Sequence, residues 1–167
     1  MPLSPRGRTF HGTRNEAGPL SMANRPGKEV QRKGVAPRID RVVETGIYVS
    51  DLAGARNFYE SVLGLEFVSE EAGRHVFLKA GKSMLLLFRA ERTLKERKLP
   101  THGASGSQHF ALQISDEDYG AWIKRLKERG VEVEQEVDWG SSRSIYLRDP
   151  AGNLVELITS GNWPVDE

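Results

Sequence analysis

The sequence predicts an α+β fold in which two β-α-β-β-β modules pair to form a curved mixed sheet around a central cleft. Three observations predict it. Short runs are rich in β-branched and aromatic residues, one helical apolar pattern follows the first strand of each half, and the whole order of elements occurs twice. An offset of 65 residues places Glu44 on His109 and Ser50 on Ser115. This internal repeat predicts one duplicated domain over residues 39–160.

The first predicted module covers residues 39–90. It begins with a β-branched strand at 42–49, after which Ser50 or Asp51 can cap a helix. Apolar residues continue at helical spacing until Gly64, which stands where a helix commonly ends. Three more strand-like runs, separated by glycine-containing turns, complete the module at 65–69, 75–79 and 83–88.

The second predicted module covers residues 107–160 and repeats this order. A strand at 109–114 leads to a cap at Ser115, and Gly130 ends the helix that follows. The helix carries an apolar stripe made of Tyr119, Trp122, Ile123 and Leu126. Strand-like runs follow at 131–137, 144–147 and 154–159, with a Pro- and Gly-containing turn at 149–153. The polar stretch 89–107 connects the modules and can also serve as a flap.

Charge is unevenly spread along the 167 residues. Residues 1–38 hold eight basic and two acidic side chains, a net charge of +6, and the remaining 16 basic and 21 acidic side chains give −5. This composition predicts a flexible basic extension. Three alternatives stay open: an arm for nucleic acid or an anionic surface, an organellar targeting segment, and a true start at Met22. Residues 161–167 form a short C-terminal end.

Composition excludes several classes of protein. The chain has no cysteine, which excludes disulfides, thiolate metal sites and a cysteine nucleophile. No apolar run approaches the roughly 18 residues of a membrane span, and no apolar signal region follows Met1. We therefore expect a cytoplasmic protein without a membrane partner. The acidic body also argues against a nucleic-acid partner.

Two carboxylates interrupt otherwise apolar strands. Glu44 lies in the first strand and Glu156 in the last, and an ionised carboxylate is costly to bury without a partner. His109 occupies the position equivalent to Glu44 in the second module. Each of the three has a structural alternative: the carboxylates can lie on wet outer faces, and the histidine can bond to the backbone in the core. His75 and His102 are expected at the surface.

Three segments, at 44–52, 58–65 and 146–157, resemble the vicinal-oxygen-chelate superfamily of glyoxalases, fosfomycin- and bleomycin-resistance proteins, extradiol dioxygenases and epimerases. The resemblance covers about residues 39–160. It implies a three-ligand metal site made by Glu44, His109 and Glu156. Glu44 stands where the family more often has His, and the fourth glyoxalase ligand is missing from the strand at 83–88.

The resemblance also implies roles for further residues. A carboxylate, Glu44 or Glu156, would act as base. Tyr146 would donate a hydrogen bond to the substrate or, as the structural alternative, be a strand tyrosine with a solvated hydroxyl. The substrate-binding candidates are Tyr48, Gln113, Trp139 and Arg143. A donor set of two carboxylates and one imidazole suits a catalytic divalent ion: Mn, Fe(II), Ni, Co, Zn or Mg.

The implied activity is that of a metalloenzyme of the lyase or isomerase type, acting on a small molecule that chelates through its oxygens, and working as a homodimer. Two alternatives remain. One is a non-catalytic small-molecule-binding protein of the bleomycin-resistance type. The other is an extradiol-dioxygenase-like oxidoreductase, which the presence of one imidazole rather than two disfavours.

Overall fold

The computed structural model describes residues 36–165, and its helices and strands all lie in the unit Asp40–Glu167. The predicted extension 1–38 lies outside the described residues apart from its last three. The strands are β1 (Glu44–Tyr48), β2 (Glu66–Glu71), β3 (His75–Ala80), β4 (Ser83–Phe88), β5 (His109–Ile114), β6 (Val133–Asp138), β7 (Arg143–Arg148) and β8 (Leu154–Thr159). The helices are α1 (Leu52–Asn57, continued by a π-helical turn at Phe58–Val62), α2 (Ala90–Thr93) and α3 (Tyr119–Glu128).

Each module contributes one four-stranded mixed sheet. The strand order is β1-β4-β3-β2 in the first module and β5-β8-β7-β6 in the second. The first strand of each module pairs parallel with its last strand, and the other neighbours are antiparallel. The α+β class and the β-α-β-β-β order are therefore confirmed. Over residues 36–165 the strands form two separate hydrogen-bonded sheets, with β1 and β5 each at one edge of its sheet.

The first helix begins and ends as its sequence predicts. The Asp51 side chain accepts hydrogen bonds from the backbone N–H groups of Ala53 and Gly54, both at 3.1 Å. After the π-helical turn, Gly64 adopts a φ of 74°, a left-handed conformation that glycine adopts without strain. The buried side of the helix carries Tyr59 and Val62.

The predicted start of α3 is wrong by three residues, because the residue at the cap position is Asp118 and not Ser115. Ser115 accepts a hydrogen bond from the backbone N–H of Asp118 and donates one to its carboxylate, at 3.2 and 2.9 Å. These local bonds close a turn over 115–118, so the regular helix begins only at Tyr119. The acidic residues of this stretch precede the helix instead of forming its first turn.

The two sheets and their helices share one hydrophobic core. Alternate residues of the central strands point into it, among them Leu85 and Leu87 of β4 and Val155 and Leu157 of β8, all almost fully buried. Because side chains alternate across a strand, the intervening residues face the opposite side of each sheet. That opposite side, called the inner face below, carries the predicted site residues Glu44, Tyr48, His109, Gln113, Tyr146 and Glu156.

Polar contacts join the modules around the turn at 149–153. Tyr59 donates its hydroxyl proton to the Asp149 carboxylate at 2.8 Å, and Asn153 donates to the same carboxylate at 3.0 Å and to the carbonyl of Tyr48 at 3.4 Å. Asp149 and Asn153 are buried. The turn therefore connects the second module to both the helix and the first strand of the first module.

The connecting segment contains one element that the sequence pattern did not predict, the single turn α2, in which Thr93 is fully buried. None of the helices described over residues 36–165 is long and apolar enough to cross a membrane.

Candidate functional site

Glu156 is the centre of the site. It lies in the middle of β8 between Val155 and Leu157, which point into the core, so its own side chain lies on the inner face. Its cross-strand neighbour on β7 is Tyr146. Only 7% of Glu156 is exposed, and such a buried carboxylate must be stabilised by polar neighbours.

One oxygen of Glu156 receives two hydroxyl donors. Ser144 donates to Oε1 at 2.5 Å, and Tyr146 donates to the same oxygen at 2.8 Å. Ser144 is itself fully buried and accepts a hydrogen bond from the indole N–H of Trp139 at 2.9 Å. Burial, and to a smaller extent the hydrogen bond to Glu156, raises the pKa of Tyr146. The phenol therefore stays protonated and remains a donor.

The other oxygen of Glu156 faces His109. The distance from His109 Nε2 to Glu156 Oε2 is 3.4 Å, and His109 Nδ1 lies 3.3 Å from the carbonyl oxygen of Leu154. Both oxygens that face the ring can only accept a hydrogen bond, so a neutral imidazole can donate to only one of them. A cation bound between Nε2 and Oε2 would satisfy both of these atoms and leave Nδ1–H to donate to the Leu154 carbonyl.

A divalent metal fits this pair of atoms. Two ligand atoms that each lie roughly 2.1 Å from a tetrahedral metal are about 3.4 Å apart, which matches the separation of Nε2 and Oε2. The bond from Nδ1 to a backbone carbonyl is the kind of interaction that orients a metal-binding histidine. The donor set therefore fits a metal through His109 and Glu156.

Glu44, the third expected ligand, lies apart from this pair. It is exposed on β1 of the first sheet. Among residues 36–165, no three His, Cys, Asp or Glu side chains lie close enough together to hold a metal ion. A single chain thus brings together two of the three expected ligands.

The expected substrate-binding residues are distributed over several places. Trp139 is half exposed and belongs to the site through Ser144, whereas Gln113 lines a groove of about 960 Å³ between the modules that is not lined by His109 or Glu156. Arg143 alternates with Ser144 along β7 and stacks its guanidinium 4.1 Å above the ring of Tyr119. The structure therefore places Arg143 on the other side of the sheet from Glu156.

Tyr48 belongs to an aromatic cluster on the inner face of the first module. Its hydroxyl lies 2.6 Å from His102 Nδ1, and the ring of His102 packs against Phe88 with centroids 4.8 Å apart. His75 stacks on Phe77 with centroids 4.0 Å apart. This cluster lines the first module with rings, whereas the second module carries His109, Tyr146 and Glu156 on its inner face.

The expectation that His75 lies at the surface is wrong, because only 11% of its side chain is exposed. Burial lowers the pKa of His75, and the neighbouring Arg74 lowers it further. The sequence does indicate that His75 is covered, because alternation along β3 places His75 on the same face of the sheet as Phe77. The same rule places Ser144 beside Tyr146, although Ser144 was not among the predicted site residues.

Comparison with known proteins agrees with this architecture. The family model described as Glyoxalase/Bleomycin resistance protein/Dioxygenase superfamily matches residues 38–157. The chain belongs to this superfamily. A crystal structure of lactoylglutathione lyase from Agrobacterium tumefaciens superposes with a TM-score of 0.73 at 35% identity, covering 77% of this chain and 99% of that one.

Two curated relatives carry different activities. Metallothiol transferase FosB of Staphylococcus epidermidis is 32% identical over 115 residues, which is 66% of this chain and 75% of that protein. Catechol-2,3-dioxygenase of Bacillus subtilis is 28% identical over 110 residues, which is 65% of this chain but only 38% of that protein. The relatives establish the superfamily, and their names span several kinds of chemistry.

Proposed function

We propose that this protein is a metalloenzyme of the lyase or isomerase type that acts on a small molecule chelating through its oxygens. The observation that carries the proposal is the apposition of His109 Nε2 and Glu156 Oε2 at 3.4 Å, with a buried carboxylate and an oriented imidazole. A bound divalent ion would polarise the substrate oxygens and stabilise negative charge that develops on them.

The surrounding residues of the chain support this chemistry. Glu156 and His109 would hold the ion, and Tyr146, which stays protonated and donates to Oε1 of Glu156, lies next to the site as the candidate contact for a substrate oxygen. A carboxylate, Glu44 or Glu156, would accept a proton from the substrate. A single imidazole among the donors favours these reactions over a dioxygenase, whose usual set has two histidines and one carboxylate.

We further propose that a second copy of the chain completes the site with its Glu44. Half of the His109 side chain is exposed, so the metal-binding atoms are open to an incoming group, and Glu44 is exposed on the other sheet. A homodimer that places Glu44 of one copy against His109 of the other would form two equivalent three-ligand sites.

Metal content tests the proposed function. Wild-type protein purified without chelator, or reconstituted with Mn²⁺ or Co²⁺, is expected to hold one divalent ion per chain. Glu44→Gln, His109→Ala and Glu156→Gln should each lose it, whereas Glu132→Gln, at an exposed glutamate outside the site, should retain it. A wild type that cannot be loaded with any divalent ion contradicts the proposal.

A mixed dimer tests the origin of the third ligand. If the ligands come from two copies, a heterodimer of Glu44→Gln and His109→Ala chains contains one intact site, although each homodimer contains none. We expect one metal ion per heterodimer. Absence of metal from the heterodimer, with one ion per chain in the wild type, would place all three ligands in the same chain.

A non-catalytic binding protein is the second candidate function, and the aromatic cluster of the first module supports it. The rings of His75, Phe77 and Phe88 lie within stacking or edge-to-face distance of one another, and the ring of Tyr48 lies 6.2 Å from that of Phe88. Such a group of rings is suited to a planar ligand. This candidate predicts ligand binding that is unaffected by EDTA and by Glu156→Gln. The metalloenzyme predicts that both treatments abolish turnover.

A further inference from the structure

The two oxygens of Glu156 have different surroundings. Oε1 accepts hydrogen bonds from the hydroxyl groups of Ser144 and Tyr146, at 2.5 and 2.8 Å. Oε2 lies 3.4 Å from His109 Nε2. Each carboxylate oxygen has two lone pairs, so two donors occupy both lone pairs of Oε1. Only Oε2 remains free to bind a cation.

The direction of the Ser144 hydrogen bond is fixed by its neighbours. The indole N–H of Trp139 can only donate, and it occupies the Ser144 oxygen as an acceptor at 2.9 Å. The one hydroxyl proton of Ser144 is then directed to the Glu156 carboxylate, which can only accept when ionised. Ser144 is fully buried, so water does not compete for either bond.

We propose that Ser144, oriented by Trp139, is a positioning residue that restricts Glu156 to a single oxygen ligand. The inference rests on the proposed metal site and assigns to these two side chains a role in its coordination. With Oε1 held by hydroxyl groups, Glu156 would hold the ion through Oε2 alone. A coordination position that a bidentate carboxylate would fill then stays available to water or to a chelating substrate.

Removal of the Ser144 hydroxyl tests the proposal. In Ser144→Ala, Oε1 loses one donor and can turn toward the cation as a second ligand atom. Because the carboxylate also loses its fixed orientation, we expect the affinity for Mn²⁺ to fall about 10- to 100-fold even though a second oxygen can reach the ion, as is common when the support of a metal ligand is removed. The number of Mn²⁺-bound waters, measured by water-proton relaxation, should fall by about one as Oε1 takes a position, and the visible absorption of the Co²⁺ form should change.

The chain offers a matched control. Ser142 is also buried, two residues away, and its hydroxyl has no hydrogen-bond partner among the described residues. Ser142→Ala should therefore leave metal affinity, water number and Co²⁺ absorption unchanged. Ser144→Thr, which restores a hydroxyl, should recover the wild-type number of bound waters. A serine with a merely structural role would not require this recovery.

Trp139 provides an independent variant if Ser144→Ala fails to fold. The Trp139 side chain is half exposed, so Trp139→Phe can be made with little effect on the core. Trp163→Phe, at a more exposed tryptophan outside the site, serves as its control. A reduced Mn²⁺ affinity or an altered water number in Trp139→Phe alone supports the proposal. Wild-type values in Ser144→Ala, or in Trp139→Phe where the former does not fold, overturn it. A wild type that binds no divalent ion overturns the proposed function itself.

Discussion

Leu86 in the first module and Glu156 in the second occupy equivalent places, since each pairs with the third residue of its module's first strand. On the neighbouring strand Phe77 lies opposite Leu86, and Tyr146 lies opposite Glu156. The two backbones follow the same plan. The middle row of one inner face is apolar, and the same row of the other holds a carboxylate and the hydroxyl that binds it.

The next row shows the same contrast. His75 stands in the first module where Ser144 stands in the second, because each is paired with the corresponding residue of its last strand, Phe88 or Ile158. The first module uses this position for ring stacking and the second uses it to hold Glu156. Duplication of the fold thus supplies equivalent positions, and a few side chains decide which module carries the buried carboxylate.

The strongest way to break the contrast is to place a carboxylate in the first module. Leu86→Glu would bury a charge with no hydroxyl donor beside it, because Phe77 stands where the second module has Tyr146. We expect a loss of about 3–5 kcal/mol in the free energy of unfolding, measured by urea denaturation. Leu86→Met, which conserves volume, should cost less than about 1.5 kcal/mol. Equal losses in the two variants would contradict the comparison.

A second prediction concerns Asp149, whose counterpart in the first module is Ala80. Asp149→Ala leaves the hydroxyl of Tyr59, which is completely buried, without its acceptor. A buried unsatisfied polar group costs about 1–3 kcal/mol, and we expect a loss near 3 kcal/mol because Asn153 also loses its acceptor. Asp149→Asn, which keeps an acceptor oxygen, should lose less. Unfolding measurements in which Asp149→Asn is as damaging as Asp149→Ala would refute this explanation.

The two long helices allow a smaller test. Asp51 caps the first helix through two backbone N–H groups, whereas Asp118, at the start of α3, makes no capping hydrogen bond. Asp51→Ala should therefore lower the free energy of unfolding by about 1 kcal/mol. Asp118→Ala should change it by less than about 0.5 kcal/mol, as is usual for surface substitutions. Thermal unfolding of both variants checks the difference, and equal effects would contradict it.

The smallest expected effect is a pH dependence of the free energy of unfolding that arises from His75 in the aromatic cluster. Burial, with Arg74 as a second cause, lowers the pKa of His75 in the folded protein below its unfolded value of about 6.5. The unfolded chain therefore binds the proton more readily, and the free energy of unfolding decreases as the pH falls below about 6.5. His75→Phe removes this titration. Urea unfolding at about pH 7.5 and pH 5.5 should show a larger decrease in the wild type than in the variant.

The strands and turns could be predicted from sequence because their signals are local. Alternation places Glu156 opposite the core residues Val155 and Leu157, and a left-handed glycine ends α1. The start of α3 was misplaced because the hydroxyl of Ser115 can close a turn as readily as it can cap a helix, and the choice depends on how the helix packs.

The distance between Glu44 and His109, in contrast, could not be predicted from local sequence patterns. Their equivalence follows from the repeat, but their separation depends on how the two sheets associate within and between chains, which no local pattern encodes. The pairing of His109 with Glu156 could be expected, because parallel pairing of the first and last strands of a module brings these residues onto neighbouring strands. Alternation along β7 likewise places Ser144 on the same face as Tyr146, whereas the contact of Trp139 with Ser144 depends on the conformation of the turn between β6 and β7 and could not be predicted.

The contacts of the turn at 149–153 have a consequence for folding kinetics. Asn153 binds the carbonyl of Tyr48 across 105 residues of sequence, and Asp149 binds Tyr59 across 90. A chain that grows from its N-terminus must wait for nearly the whole domain to be synthesised before the first helix and strand acquire these partners. Contacts closed over such long loops carry a large entropic cost and are expected to form late. The modules should therefore dock in the final step of folding, after each has formed its own hairpins.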